Sequence, residues 1–223
     1  LDGMGTVLSD ENLDPAYRSL MLGLPSQSEL AADLHRLGHI PDPDNIWGAI
    51  DGLKQALSDN LATNLLKLYL DHQVTDHFIP NSNQAGVRSL GNAALSLLTR
   101  QDGGKQAQIQ YDKADNMTQQ LAALANLIRA GKGTAALTKF QKQWKHDRLV
   151  MDKWFSLQVT EASPDDAAGK AKTLTGHSAF NWKNPNRFRS IIGALSNHHA
   201  GFHNKIGLGY SLVAQWLIIL DPI

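Results

Sequence analysis

Cysteine is absent from this 223-residue chain, which excludes a disulfide framework and any cysteine-based metal or redox site. Net charge is absent as well, because 21 basic side chains balance 21 acidic ones. A neutral chain argues against nucleic acid or an anionic membrane as the main partner. No apolar run reaches the roughly 18 residues that a spanning helix needs, and the first residues lack the basic start and apolar core of a signal peptide. We therefore predict a cytoplasmic location.

Strand signals are also missing, since no segment alternates apolar and polar residues and no Asn-Gly hairpin turn occurs. Helix signals recur along the whole chain instead. Asp14-Pro15, Ser26 with Glu29, Asn116 with Gln119, and Ser163-Pro164 each have the form of a helix N-terminus. Apolar residues at three- and four-residue spacing predict one long helix from about Asp44 to His72, bent near Asp59-Asn60. Other expected helices end near Gly23, Gly103 and Gly131, and the final one runs from Tyr210 to Leu220. The chain is predicted to be all-α.

The most informative stretch is NPNRFRSIIGALSNHHAGFHNKIGLGY, from Asn184 to Tyr210. Asn184 is a good N-cap and Pro185 suits the first helical turn. Phe188, Ile191, Ile192 and Leu195 then form one apolar stripe of an α-helix. At about 100° per residue, Arg187 and Arg189 point about 200° apart, so the two guanidinium groups must lie in different environments.

This stretch closely resembles the C-terminal region of the bacterial aminopeptidase N family, which are zinc-dependent exopeptidases. LDPAYRSLMLGLPSQSEL (Leu13–Leu30), DNMTQQLAALANL (Asp115–Leu127) and LVMDKWFSLQ (Leu149–Gln158) match the same family in the same order. The resemblance covers nearly the whole chain, with Gly38–Gln110 the least distinctive part. It implies a curved α-solenoid of antiparallel helix pairs, an armadillo/HEAT-like superhelix whose concave side covers the catalytic domain.

Residues 1–223 are accordingly interpreted as the C-terminal helical domain of such an enzyme, with the catalytic domain absent. The family continues past the last residues of this chain with further helices, so we also expect the domain to be truncated at its C-terminal end. The resemblance implies that the catalytic domain of the same polypeptide and peptide substrates are its partners. It implies zinc in the parent enzyme but none in this chain.

The catalytic motif of a zinc peptidase is H-E-x-x-H, and none of the nine histidines here is followed by glutamate. We therefore expect no catalytic residue and no aminopeptidase activity in the chain alone. His198, His199 and His203 form the one histidine cluster, but no carboxylate lies nearby in sequence, and packing or capping roles are favoured over a metal site.

A local basic run is better interpreted as a solvated helix face than as a nucleic-acid site, because acidic residues interrupt it. It consists of Lys132, Lys139, Lys142, Lys145, Arg148 and Lys153. Trp144 and Trp154-Phe155 have the spacing of core residues.

The two arginines after Asn184 are the remaining candidates for contact with a ligand. One interpretation is that both are solvated or locally paired, as surface arginines usually are. The family resemblance selects Arg189 as the residue that faces the substrate channel, where its guanidinium could bind a peptide carboxylate or carbonyl. The alternative for the whole chain is a free-standing α-solenoid that binds another protein. An H-E-x-x-H motif encoded before residue 1 would distinguish the aminopeptidase domain from this free-standing binding module.

Overall fold

The structure is a computed structural model that describes residues 2–74 and 76–221, together with the side chains of residues 3–74 and 76–221. Every regular element in these ranges is a helix, which confirms the all-α prediction. The helices are α1 (Asp2–Ser9), α2 (Pro15–Met21), α3 (Gln27–Arg36), α4 (Pro43–Asn60), α5 (Ala62–Asp71), α6 (Ser82–Asp102), α7 (Lys105–Lys113), α8 (Met117–Arg129), α9 (Thr134–Trp144), α10 (Arg148–Thr160), α11 (Pro164–Thr175), α12 (Pro185–Phe188), a π-helical segment (Arg189–Gly193), α13 (Ala194–Asn197), α14 (His199–Phe202) and α15 (Leu208–Leu220).

The predicted helix caps are present as hydrogen bonds. Asp14 Oδ1 accepts the backbone N–H of Ala16 at 2.7 Å, ahead of Pro15 at the first position of α2. Ser26 and Glu29 form a complete capping box at the start of α3. Gly103 ends α6 in the left-handed conformation, with φ 60°, which a glycine adopts without steric cost. These local signals set where the helices begin and end.

The prediction of a single long helix from Asp44 to His72 is wrong in one respect, because the structure has two helices there, α4 and α5. The break falls at Leu61, whose φ of −107° and ψ of 12° are not helical. It lies one residue beyond the bend that was expected at Asp59-Asn60. Asn60 takes part in ending α4, since its side-chain Nδ2 donates to the carbonyl of Ala56 at 2.8 Å.

The described residues group into two compact units, each with its own core. The first unit comprises residues 1–25 and 48–133. There α6 packs against α2, α5 and α8, and α7 packs against α8. Its fully buried side chains include Leu57, Leu65, Leu90, Leu95, Leu124 and Leu127. Gly86 and Gly91 of α6 allow this packing, since a Cβ at Gly91 would lie 2.9 Å from the carbonyl oxygen of His72.

The second unit comprises residues 26–47 and 134–223. Here α10 packs against α9, α11 and the π-helical segment, and α11 also contacts α14 and α15. Its largest fully buried side chains are Phe140, Phe155, Val159, Ile191 and Leu195. Trp154 and Phe155 are buried, as the spacing predicted, and Trp154 Nε1 donates to the carbonyl of Leu137 at 3.0 Å. The assignment of residues 1–223 to one domain stays a prediction.

The last helix, α15, leaves part of its apolar surface exposed. Leu212 is buried, but Leu217, Ile218 and Ile219 are 62%, 73% and 45% exposed. We call these three residues the C-terminal apolar patch. None of the helices in the described ranges is long and apolar enough to cross a membrane.

Candidate functional site

The candidate site is built on the helix that starts after Asn184. Asn184 Oδ1 accepts the backbone N–H of Asn186 at 3.0 Å, and Pro185 occupies the first helical position. The helix then widens into a π-helical turn at Arg189–Gly193 before it resumes as α13. An uninterrupted α-helix was expected here, and that expectation is wrong. Turns of this kind are rare and frequently occur at functional sites.

The apolar side of this helix faces the core of the second unit as predicted. Ile191, Ile192 and Leu195 are buried, and Phe188 is half-buried against Trp216, with ring centres 5.6 Å apart. Because these residues fix the rotation of the helix about its axis, they also determine where the arginines on either side of Phe188 point.

Arg187 lies in the interior, with 7% of its surface exposed. Its Nε pairs with Asp152 Oδ1, its Nη1 donates to the carbonyl of Ala179, and its Nη2 donates to the carbonyl of Arg148 at 3.2 Å. Its Cζ also lies 4.8 Å from the ring centre of Phe155. Arg187 therefore joins α12 to α10 and to the segment that contains Ala179.

Arg189 has the opposite environment. It is exposed, and its side chain makes no hydrogen bond or ion pair with the described residues. A Cβ placed on Gly193 would lie 3.5 Å from the Cβ of Arg189, which is an ordinary van der Waals contact. The predicted separation of Arg187 and Arg189 is thus observed. Contact of Arg189 with a peptide stays a prediction.

The histidine cluster does not converge on a point. His198 is buried, with Nε2 3.0 Å from the carbonyl of Ala162, and its Nδ1 accepts the N–H of Gly201 at 3.1 Å. The carbonyl and the N–H together assign the ring proton to Nε2. His199 Nε2 lies 3.4 Å from Ser28 Oγ, and His203 Nδ1 lies 2.5 Å from the hydroxyl of Tyr210.

Each of the three histidines thus has a hydrogen-bond partner within the second unit, in line with capping and packing roles. Over the ranges that the structure describes, no group of three His, Cys, Asp or Glu residues comes together as metal ligands would. The donor set needed to hold the zinc of an aminopeptidase is therefore not assembled by these residues.

The basic run is exposed, with four of its residues on α9 and α10, Lys132 just before α9 and Lys145 just after it. The exposed residues are Lys132, Lys139, Lys142, Lys145, Arg148 and Lys153. Their positions agree with a solvated face, and nothing in their arrangement selects a nucleic acid.

Sequence reasoning missed two buried arginines in the first unit. Arg18, 4% exposed, donates from Nε to the carbonyl of Leu8 at 3.1 Å, near the end of α1. Arg88, 5% exposed, has Nη1 3.0 Å from Gln84 Oε1 and its Cζ 4.7 Å from the ring centre of Phe78. Its Nε is enclosed without a hydrogen-bond partner among the described residues. No local pattern marks either residue, because burial at these positions arises from packing between helices distant in sequence.

The regular elements of the described residues are all helical. The chain belongs to the family described as "Domain of unknown function (DUF3458_C) ARM repeats", whose family model matches residues 1–223. This match confirms the expected repeat class.

The chain is similar to aminopeptidase N of Haemophilus influenzae, with 34% identity over 226 residues, and to aminopeptidase N of Escherichia coli, with 35% identity over 229 residues. Each alignment covers 99% of this chain and 25% of the relative, so the chain spans about a quarter of the length of these proteins. Among solved structures it is similar to Legionella pneumophila aminopeptidase A in complex with aspartic acid. That match has a TM-score of 0.85 and 28% identity, over 98% of this chain and 27% of the other. The resemblance to bacterial aminopeptidase N is thereby confirmed.

Proposed function

We propose that this chain is the non-catalytic C-terminal domain of a zinc-dependent aminopeptidase, which removes N-terminal residues from peptides. In this role it covers the active-site chamber and lines the channel through which peptides enter. Support comes from the matches themselves, which take in 98–99% of this chain but about a quarter of each aminopeptidase. The catalytic domain of the same polypeptide is then its main partner. The cytoplasmic location expected from the composition stays a prediction.

Zinc, in this proposal, is held by the catalytic domain. When bound there, the metal supplies an activated water for hydrolysis of the peptide bond. The present chain has no H-E-x-x-H motif, and its described residues assemble no metal-binding group. Its own contribution is to bind and orient the peptide and to restrict which peptides reach the chamber.

The observation that carries a binding role is the contrast between Arg187 and Arg189. Arg187 is buried and satisfied by Asp152 and two backbone carbonyls, whereas Arg189 is exposed with no partner among the described residues. A guanidinium offers a planar fork of donors that matches a carboxylate in two-point contact and also donates to a carbonyl. Arg189 is therefore the group on this helix that remains available to a peptide.

The surroundings of Arg189 restrict its main chain. The adjoining Arg187 holds α12 against α10, and Ile191 and Ile192 anchor the π-helical turn in the core. A binding group on such a fixed backbone loses less conformational entropy on binding than one on a mobile loop. We infer that Arg187 positions the helix and that Arg189 contacts the peptide.

The assignment to an aminopeptidase is tested by comparing the full-length protein with the chain of residues 1–223. The full-length protein should release the N-terminal residue of a tripeptide, and a chelator should stop the reaction. The chain alone should release nothing, with or without added zinc. Chelator-sensitive release by the pure chain would contradict the proposal, and so would a folded full-length protein that is inactive after zinc is added.

The covering role has its own test in the full-length protein. An unfolded peptide should be cleaved, while a folded protein with the same accessible N-terminal sequence should be cleaved far more slowly, because a covered chamber excludes it. Equal rates for the two substrates would remove the support for a covering role and leave the rest of the proposal standing.

A further inference from the structure

The first unit contains a cavity of about 380 Å³ between α5, α7 and the start of α8. This volume lies within the range of small-molecule pockets. Five of the eleven residues that line it are uncharged and polar, namely Tyr69, Gln73, Gln106, Gln110 and Gln119, and four are apolar. One cation and one anion, Lys113 and Asp115, also line it, so the lining as a whole is neutral. Burial raises the pKa of Tyr69, which keeps its hydroxyl protonated.

The amide of Gln110 is held in one orientation. Its Nε2 donates to the backbone carbonyl of Gln119 at 3.0 Å and to Asn92 Oδ1 at 2.9 Å. A backbone carbonyl can only accept, so the nitrogen must lie on that side and both of its N–H groups are used. Gln110 is 5% exposed, and its Oε1 has no partner among the described residues. Gln110 therefore presents a free acceptor.

The side-chain amide of Gln119 is also fixed, but its oxygen is engaged and its nitrogen is free. The backbone N–H of Gln119 donates to Asn116 Oδ1 at 3.0 Å, which assigns the oxygen of that asparagine. Asn116 Nδ2 must then be the donor to Gln119 Oε1, at 2.5 Å, and to Asp115 Oδ1, at 2.9 Å. With its oxygen engaged, Gln119, which is 8% exposed, retains an Nε2 without a partner in the described part of the chain. Gln119 therefore presents a free donor.

These two free atoms are not sealed in the protein interior. Among the described residues, Arg88 Nε is the side-chain nitrogen or oxygen that is both enclosed and without a partner. Since Gln110 Oε1 and Gln119 Nε2 also lack partners, neither can be enclosed, and both retain access to solvent. Since both residues line the cavity and are otherwise more than nine-tenths buried, we infer that these atoms open into it. A buried amide that keeps an unused donor or acceptor is costly unless water or a ligand satisfies it.

We propose that this cavity binds a neutral amide, either a primary carboxamide or a peptide bond. Gln110 Oε1 accepts the N–H of the ligand, and Gln119 Nε2 donates to its carbonyl oxygen. A carboxylate of the same shape places a negative oxygen against the Gln110 acceptor and is disfavoured. The site lies in the first unit and does not involve Arg189, so it is independent of the function proposed above.

The test is a titration of the ¹⁵N-labelled chain with acetamide, followed through the side-chain NH₂ resonances of its glutamines. Acetate, which has the same shape and a negative charge, serves as the matched control ligand. Acetamide should shift the NH₂ resonances of Gln119 and Gln110 in a saturable manner, and acetate should not. If acetate shifts them equally, or if acetamide causes no saturable shift up to the highest concentration at which the chain stays folded, the proposal is overturned.

Two variants sharpen the test. Gln119→Glu replaces the free donor by an acceptor and should weaken acetamide binding about tenfold or more, the effect of losing one hydrogen bond and gaining a repulsion. Gln215→Glu, at an exposed position of α15, introduces the same change in charge outside the cavity and should leave binding unchanged. Equal effects of the two variants would overturn the assignment to this cavity. If Gln119→Glu does not fold, the comparison of acetamide with acetate on the unmodified chain decides the question.

Discussion

Arg187 and Asp152 form an ion pair that is almost withdrawn from solvent, with 8% and 17% of their side chains exposed. The pair connects α12 to α10, and Arg187 also donates to the carbonyls of Ala179 and Arg148. It holds in place the helix on which Arg189 is exposed.

Arg187→Met should destabilise the chain by about 3–5 kcal/mol, because it leaves the Asp152 carboxylate poorly solvated and without its partner. Asp152→Asn should cost less, since Arg187 keeps both backbone carbonyls and the asparagine oxygen can still accept from it. Denaturant unfolding measures both losses. Equal losses, or a loss below about 1 kcal/mol for Arg187→Met, would show that the pair does not organise this region.

Arg88 should behave in the opposite way. Its buried guanidinium has one amide oxygen and one aromatic ring as partners, and its Nε has no partner among the described residues. Removing a poorly compensated buried charge relieves a desolvation cost, so Arg88→Met should be neutral or stabilising. The matched variant Arg18→Met removes donors from the carbonyl of Leu8 and should cost about 1.5–3 kcal/mol. If Arg88→Met proves as damaging as Arg18→Met in denaturant unfolding, Arg88 has a structural role that its contacts do not explain.

His177 should make the stability of the chain depend on pH. Burial, and to a lesser extent the charge of Arg187, lower the pKa of His177 below its ordinary value of 6.5. At pH values near and below 6.5, His177 therefore binds more protons in the unfolded chain than in the folded chain. The contribution of His177 to stability is therefore present above about pH 6.5 and is lost as the pH falls below it.

The control is His177→Asn, which keeps an acceptor near the backbone N–H of Ala179. Thermal unfolding of both proteins between about pH 5 and 8 should give a smaller pH dependence for the variant, the difference being confined to the range near and below the ordinary histidine pKa. Parallel profiles for the two proteins would remove His177 as a source of the dependence.

The C-terminal apolar patch should cause the chain to self-associate at high concentration. Removing exposed apolar surface from water by contact with a second copy of the chain is favourable. Leu217, Ile218 and Ile219 offer such a surface on α15. Ile218→Glu should shift the chain toward monomer in sedimentation experiments. Ser211→Glu, at an exposed polar position of the same helix, should not. Identical sedimentation of the unmodified chain and Ile218→Glu would contradict the prediction.

Much of the fold could be predicted because its signals are local. Asp14-Pro15 and the Ser26–Glu29 capping box place helix starts through hydrogen bonds within a few residues, and the structure contains both. The stripe of Ile191, Ile192 and Leu195 likewise predicts which side of that helix is buried. The opposite environments of Arg187 and Arg189 follow from this stripe and from the geometry of a helix alone.

What the sequence did not reveal depends on contacts between distant residues. The π-helical turn at Arg189–Gly193 has no local marker, and Asp59-Asn60 indicated a bend but not the full interruption of the helix at Leu61. The cavity of the first unit is similar, because Gln110 of α7 acquires its fixed orientation from Asn92 on α6 and from the carbonyl of Gln119 on α8. The role of Arg189 was taken from family resemblance, since periodicity shows that the two arginines differ but not which of them meets a ligand.

The central claim is that Arg189 contacts the peptide while Arg187 holds the helix in place. The most direct measurement is steady-state kinetics of full-length Arg189→Ala on di-, tri- and tetrapeptides and on a single-residue amide reporter. Arg148→Ala, which removes an exposed guanidinium from another helix of the same unit, is the matched control. Zinc content and thermal stability are measured on every variant.

If Arg189 binds the peptide, its removal should raise KM for tri- and tetrapeptides roughly 10- to 100-fold, the loss of one charge-assisted hydrogen bond. The reporter should be affected far less, and zinc content, stability and the Arg148→Ala kinetics should match the unmodified enzyme. Unchanged KM values of Arg189→Ala across the whole peptide series would contradict the claim and leave Arg189 a solvated surface residue.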